Sequence, residues 1–294
     1  MNQRMDKLEI YTSNSADRVV EVKADKQQKK MAQPNRRAGM TVVVLNLNKP
    51  ELIVPLVKQL QRQQTVFDEN NLVLEIIIGD TGSTDSKTLA CLHALQKLPN
   101  SIVVYDLKYQ FSRCNNQLAF SHSSCEIILF LNNDIIFADE KSLLEIYKTT
   151  KKRTDVGVFG ALLFFPDGLV QHAGVDFFRQ PELKGLCYHP LGRSAKTPES
   201  FPKYIEAPAA TGAFLAIRST LYEEIGGFDE EYTAECQDIA LCLAALRHGF
   251  TTLTINLGNT IHLENATRPK NEEHWPDRQR FLRKWGSFIE ASFL

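Results

Sequence analysis

The 294-residue sequence predicts an α/β fold: a mostly parallel sheet flanked by helices on both faces. Two observations carry that expectation. From Met40 onward, short aliphatic and β-branched runs alternate with stretches of helical periodicity. The short runs are also apolar almost throughout, as strands are when both faces of a parallel sheet are covered. A third observation bounds the size. With 43% hydrophobic and 23% charged residues, the chain suits one large domain or two small ones.

In chain order, TVVVLNL (41–47) is the first strand, and Pro50 leads into an apolar-periodic helix, ELIVPLVKQLQRQQ (51–64). LVLEIIIGD (72–80) is the second strand, followed by the helix SKTLACLHALQKL (86–98). SIVVYDL (101–107) is the third strand, CNNQLAFSHS (114–123) a short helix, and EIILFLN (126–132) the fourth strand. The pairs Phe164–Phe165 and Phe177–Phe178 are expected in the core. PESFPKYIEAPAA (198–210) carries three prolines and reads as a long loop, expected to fold over a bound ligand ahead of the strand AFLAIRS (213–219). Ile239, Cys242, Leu243 and Leu246 fall at i, i+3, i+4 and i+7 of a helix starting near Asp238, and TTLTINL (251–257) is the last long strand. Phe281, Leu282, Trp285 and Phe288 line one face of a terminal helix. That face is expected to dock on the core, with a membrane surface as the alternative.

Residues 1–38 have no such periodicity. They hold nine Lys/Arg against five Asp/Glu and read as a disordered or weakly structured arm ahead of a domain over 39–294. The whole chain carries a formal charge of −1, so no basic excess is available for nonspecific nucleic-acid binding. Cys91, Cys114, Cys125, Cys187, Cys236 and Cys242 are scattered, with no CxxC pair and no Cys/His cluster. That pattern suits reduced thiols in a cytoplasmic protein better than disulfides or zinc. No apolar stretch approaches the roughly 18–20 residues of a membrane span, and the N-terminus lacks the apolar core of a signal peptide.

The predicted strands of the first half all end in polar residues: Asn46 and Asn48, then GDTGSTD (79–85), then FSRCNN (111–116), then Asn132, Asn133 and Asp134. One crevice beyond the carboxyl ends of a parallel sheet accounts for all four. LFLNNDI (129–135) states the problem most sharply. Two amides and a carboxylate sit between apolar blocks, where each unpaired buried polar group costs about 1–3 kcal/mol. A ligand or cation at the mouth of a crevice satisfies them. A carboxylate flanked by amides suits a hard divalent cation that shares its shell with phosphates. Alone, Asp134 reads equally well as a cap or turn residue. No GxGxxG follows the first strand and no GxxxxGK[ST] occurs, which argues against a dinucleotide site and a P-loop.

These blocks carry a resemblance. EIIIGDTGSTD, FSRCNNQLAF and ILFLNNDI, followed in order by PDGLVQHAGV (166–175), TGAFLAIRSTLYEEIGGFDEEY (211–232), QDIALCLAALRHGF (237–250) and IHLENATR (261–268), resemble the inverting family 2 glycosyltransferases. The likeness is to the branch that assembles O-antigen and other bacterial surface polysaccharides. It implies a GT-A type fold, a nucleotide-binding sheet with a smaller mixed acceptor-side sheet. The donor half would span about 39–135, the acceptor half 136–268 and a helical segment 269–294. It also implies a nucleotide-sugar donor (UDP- or dTDP-linked), a saccharide or lipid-linked acceptor, a Mn2+ or Mg2+ ion, and contact with a membrane or with further transferase domains. By position, Asp80 matches the carboxylate that reads the base, with Asn46 and Asn48 beside it. Asn132, Asn133 and Asp134 occupy the metal and donor element, where Asn132 replaces the first Asp and removes one charge. His262 matches a second metal ligand and Asp238 the general base.

Chemistry wants such groups independently. Inversion needs a base on the acceptor side and positive charge at the departing diphosphate. Arg268 is a candidate for that charge or for a surface ion pair, and Glu264 either orients His262 or pairs with Arg268. Arg113 is a further phosphate candidate or a solvated surface residue, with Asn116 beside it, and Thr211 and Gly212 are expected next to donor sugar or acceptor. The sequence departs from the family pattern at Gln237, Ala240 and Ala244, where an acidic or Asn residue, an Asp and an Arg are usual. Those departures keep a second reading open, a non-catalytic relative that binds nucleotide sugar or glycan within a larger assembly. A nucleotidyltransferase is a third, for which LNLNKPE (45–51) lacks the basic Gly-rich loop.

Overall fold

The computed structural model describes residues 36–264 and 274–294. Residues 1–35 of the expected arm, and Arg268, lie outside the described residues. The first half follows the expected order: β1 (Arg37–Asn46), α1 (Pro50–Glu69), β2 (Val73–Asp80), α2 (Ser86–Leu95), β3 (Ser101–Val104), α3 (Phe111–His122) and β4 (Cys125–Leu131). Several boundaries differ from the expected ones. β1 opens ahead of residue 39, α1 runs past residue 64, and α3 begins at Phe111 rather than 114. The last shift has a local cause, because the Gln110 side chain caps α3 by accepting from the Arg113 N–H.

The chain continues through β5 (Ile135–Ile136), α4 (Ser142–Lys152), β6 (Val156–Ala161), β7 (Leu163–Phe164), β8 (Val170–His172), β9 (Asp176–Phe177), β10 (Cys187–Tyr188) and β11 (Tyr204–Glu206). It closes with β12 (Phe214–Arg218), α5 (Ser219–Ile225), α6 (Gln237–Arg247), β13 (Thr251–Ile255), β14 (Ile261–His262) and α7 (Trp275–Phe293). The main sheet has eight strands in the order β11-β13-β6-β12-β4-β1-β2-β3. β4, β1, β2 and β3 pair in parallel, and β6 and β13 form a second parallel pair. β12 runs antiparallel between the two blocks, on β4 and on β6. The two expected halves therefore share one sheet. The smaller sheet is mixed, in the order β5-β14-β7-β8.

Alternation along β1 sorts the core. Val42 and Val44 face a cluster closed by Leu56, Leu60 and Phe67 of α1 and by Ile146 of α4. Val43 faces the other side, where α3, α5, α6 and α7 supply Leu118, Leu221, Leu243 and Phe281. Both faces are buried, which is why these strands read as apolar throughout.

One expectation needs correction. The 198–210 segment is not a lid. After a short 3-10 turn at Pro198–Ser200 it forms β11, antiparallel to β13 at the sheet edge, and the Asn256 side chain donates to Pro198 O (2.8 Å). The apolar face of α7 docks on the core as expected: Phe281, Trp285 and Ile289 are buried, and the Arg247 guanidinium lies 4.1 Å from the Trp285 ring centre. Phe164 and Phe177 are core residues, whereas Phe178 reaches the crevice.

Candidate functional site

A crevice of about 860 Å3 opens beyond the carboxyl ends of β1, β2 and β4, where a parallel sheet leaves polar backbone to be satisfied. Asn46, Asn132, Asn133, Asp134, Thr211, Gly212, Asp238 and His262 all line it, from segments spread along the chain between β1 and β14.

The floor is an amide bridge. Asn46, buried at the end of β1, accepts at Oδ1 from the Asn133 amide (2.9 Å) and donates to Asn48 O (3.2 Å). Asn48 sits in the left-handed region (φ 50), and its Oδ1 accepts from the N–H groups of Thr84 and Asp85, both at 2.8 Å. Asp80 is turned inward: it is buried and its carboxylate accepts from the Ser83 and Gly82 N–H groups and the Ser83 hydroxyl. Both residues therefore shape the 81–85 turn, and it is Thr81 that presents its surface to the crevice.

The second wall is assembled over long sequence distance. Because β5 pairs antiparallel with β14, Ile135 lies opposite His262, and the Leu263 N–H donates to Asp134 O (3.0 Å). That pairing sets Asp134 Oδ1 3.1 Å from His262 Nε2, with the Asn132 amide 3.2 Å from the same nitrogen. On the far side of the ring, His262 Nδ1 meets Gln171 Oε1 at 2.5 Å. An amide oxygen only accepts, so the Nδ1 facing Gln171 carries a proton, and in the neutral ring Nε2 then presents a lone pair. In that neutral form the imidazole lone pair and the Asp134 carboxylate oxygen lie side by side, two donors for a hard or borderline divalent cation. The group that orients His262 is thus Gln171 of β8. Glu264 lines the crevice instead.

Asp238 lines the same crevice from the first turn of α6. Its Oδ2 accepts from the Gly212 N–H (2.7 Å) and its Oδ1 from the Ile239 N–H (2.9 Å). Glycine eases the close approach, since a Cβ on residue 212 would lie 3.2 Å from Asp238 Cβ and push it aside by a few tenths of an ångström. Ala240, two residues further along α6, is buried in the core. The wall beyond is apolar: Phe178 and Tyr188 stack with ring centres 4.4 Å apart and 24° between planes, and Leu183 and Leu186 adjoin them.

The two remaining described candidates stand apart from this assembly. Asn116 is buried in α3, where its amide donates to Phe228 O (2.8 Å) and to Glu230, and its Oδ1 accepts from the Phe228 N–H and the Tyr222 hydroxyl. Arg113 points to solvent and pairs with Glu230 at 3.3 Å. Lys49, Tyr109, Gln171, Phe178 and Tyr188 join the neighbourhood without a sequence signal that singles them out, although Gln171 lies inside the PDGLVQHAGV block. Among the described residues no cluster of three or more His, Cys, Asp or Glu could hold a metal by itself, and no helix is long and apolar enough to cross a membrane.

Residues 41–226, more than half of the chain, match the family described as Glycosyl transferase family 2. The chain is 30% identical over 234 residues to the O-antigen biosynthesis protein RfbC of Myxococcus xanthus, an alignment taking in 78% of this chain and 18% of that protein. It is also 30% identical over 220 residues to the uncharacterized protein y4gI of Sinorhizobium fredii (71% of this chain, 23% of that protein). The match thus spans about a fifth of the length of these relatives. Among solved structures, the mannosyltransferase PcManGT of Pyrobaculum calidifontis, in complex with GDP-Man and Mn2+, superposes with a TM-score of 0.54 at 17% identity (87% of this chain, 64% of that one). S. aureus TarS 1-349 with UDP-GlcNAc gives 0.60 at 14% identity (87% and 68%). GalNAc-T7 with UDP, GalNAc and Mn2+ gives 0.61 at 13% identity (88% and 52%). These likenesses show the fold, that of GT-A glycosyltransferases.

Proposed function

Because the chain belongs to glycosyl transferase family 2, we propose that it transfers a sugar, with inversion, from a UDP- or dTDP-sugar to a hydroxyl of a saccharide acceptor, free or lipid-linked, in the assembly of a bacterial surface polysaccharide. One observation carries this reading. Asp134, His262 and Asp238 all line a single crevice, so that candidate leaving-group and base residues open on one space.

Asp238 is the general base of this proposal. Its two backbone hydrogen bonds occupy part of a carboxylate that offers about four lone-pair sites, leaving capacity for an acceptor hydroxyl. As the acceptor oxygen bonds to the anomeric carbon, Asp238 takes the hydroxyl proton. The bond from that carbon to the diphosphate oxygen breaks on the opposite face, and the nucleoside diphosphate leaves with the electron pair. Asn132, Asn133 and Thr211 orient the donor, and the stacked Phe178 and Tyr188 offer the acceptor ring an apolar face. Asp134 and His262 would hold a Mn2+ or Mg2+ ion, a kind of cation commonly bound by a carboxylate together with substrate phosphates. When bound, that cation adds positive charge against the departing diphosphate.

Thermal stabilisation of the full chain by UDP, dTDP, GDP and CMP, each with and without Mn2+, tests the donor side. A manganese-dependent shift with one nucleotide supports the reading, and no shift with any of them removes the donor site. Asp238→Asn tests the base: transfer falls by about 10^2–10^4-fold while nucleotide binding persists. Ala240 and Ala244 favour a second reading, a binding relative without catalysis. It predicts nucleotide or glycan binding with no turnover in the wild type.

A further inference from the structure

The turn leading into α6 is held from below by α7. Asp277, fully buried in the first turn of α7, sets one oxygen against three consecutive backbone N–H groups. Its Oδ2 accepts from Thr233 (2.9 Å), Ala234 (2.7 Å) and Glu235 (3.0 Å), and lies 3.4 Å from the Thr233 hydroxyl. Successive N–H groups converging on one anion form a nest, a geometry that fixes the backbone of the residues supplying them. The contact is reciprocated. Glu235 accepts from the His274 N–H (3.3 Å) and from Arg278 Nε (2.7 Å), on either side of Asp277. His274 Nδ1 at 3.1 Å and Arg280 Nη1 at 3.6 Å complete the surroundings of the buried carboxylate.

What this clamp holds is the approach to Asp238. Cys236, the residue after the nest, takes a left-handed backbone (φ 70), which a β-carbon disfavours and which persists only where its flanks are fixed. Gln237 and Asp238 follow directly as the first turn of α6. Ala234, Glu235, Cys236, Gln237, Asp238 and Arg278 all line the crevice. The 233–235 turn is thus tied to α7 on one side and opens onto the reaction space on the other.

We propose that Asp277 is a positioning residue for Asp238: by holding the 233–235 turn it fixes where α6 begins, and so where the Asp238 carboxylate meets the Gly212 N–H. The proposal rests on the reading of Asp238 as the base. It gives α7, which lies beyond the family-matched residues 41–226, a part in the chemistry that packing alone does not require.

Asp277→Asn in the full chain tests it, because the amide keeps the volume and one acceptor but loses the charge that binds three donors. The folded variant is expected to exchange the 233–235 amide hydrogens about tenfold faster. Its kcat should fall by at least about tenfold, as displacement of a catalytic group does, with donor KM within about twofold of wild type. The acid limb of its pH–kcat profile, which reports the base's surroundings, should move. A purely structural carboxylate would lower the melting temperature yet leave kcat per folded molecule and that limb in place, and such a result overturns the proposal. Glu235→Gln, which weakens the reciprocal half alone, repeats the pattern at smaller amplitude and serves if Asp277→Asn does not fold. In the wild type, 233–235 amides that exchange as fast as an open turn would also overturn it. If wild type itself turns over no nucleotide sugar, the base assignment fails and takes the proposal with it, whatever the exchange rates.

Discussion

At the scale of single residues, the group that prepares His262 is not a charge but the amide oxygen of Gln171, which lies 2.5 Å from Nδ1 and fixes a proton there, so that the neutral ring has its lone pair at Nε2. Gln171→Leu removes that acceptor at similar volume. Mn2+ affinity, read from the manganese dependence of nucleotide-induced stabilisation, is expected to fall by about 10–100-fold; an unchanged affinity would discard Gln171 as the orienting group. The legibility of the site follows from how each residue signals. Asp134 was readable because a carboxylate interrupts an apolar strand end, and Asn46 because it ends one. His262 and Asp238 needed the family resemblance, for the strand pairing and the glycine contact that bring them to the crevice leave no local pattern. Asn116 looked like a strand-end amide. The Gln110 cap starts α3 at Phe111 and so turns Ser112, Asn115 and Asn116 to the buried side of the helix. Asp277 had no signal at all, since three backbone N–H groups on another segment have no side-chain identity to read.

Among elements, the two-residue strands do more than their length suggests. β5 and β14 bring Asp134 to His262, and β8 presents two consecutive residues to different tasks, Gln171 to His262 and His172 to His189. His172 is buried and its Nδ1 lies 3.1 Å from His189 Nδ1. Burial first, then the nearby His189 and His262, hold its pKa well below that of a free imidazole. Unfolding frees the ring to take a proton, so its stabilising contribution is whole above about pH 6.5, the unfolded value. It is lost as pH falls below that, at up to about 1.4 kcal/mol per pH unit. Chemical denaturation between pH 7.5 and 5 should show this slope in wild type and a flatter one in His172→Asn; equal slopes would assign the acid sensitivity elsewhere. The fold class and the first four strands were legible because both-face burial writes an unbroken apolar run. β7 to β11 were not, because strands of two or three residues carry too little periodicity to separate from loop.

For the whole molecule, the decisive feature is β12, set antiparallel between the β4 and β6 edges. It joins two parallel blocks that the chain makes far apart in time. A fragment ending before β12, such as residues 36–200, is therefore expected to be insoluble or only loosely ordered, because its β4 edge has no partner. A cooperative thermal transition of such a fragment would show that the donor-side block folds by itself. During synthesis the same arrangement imposes a waiting period. At about 5–20 residues per second, β4 is complete for several seconds before Phe214–Arg218 exists to cover it. Through that interval the nascent chain displays Leu129, Phe130 and Leu131 along an unpaired strand edge, the surface on which neighbouring chains add to one another. Ribosome-proximal chaperones, or slower initiation that spaces the chains apart, should then govern how much of this protein reaches its native state.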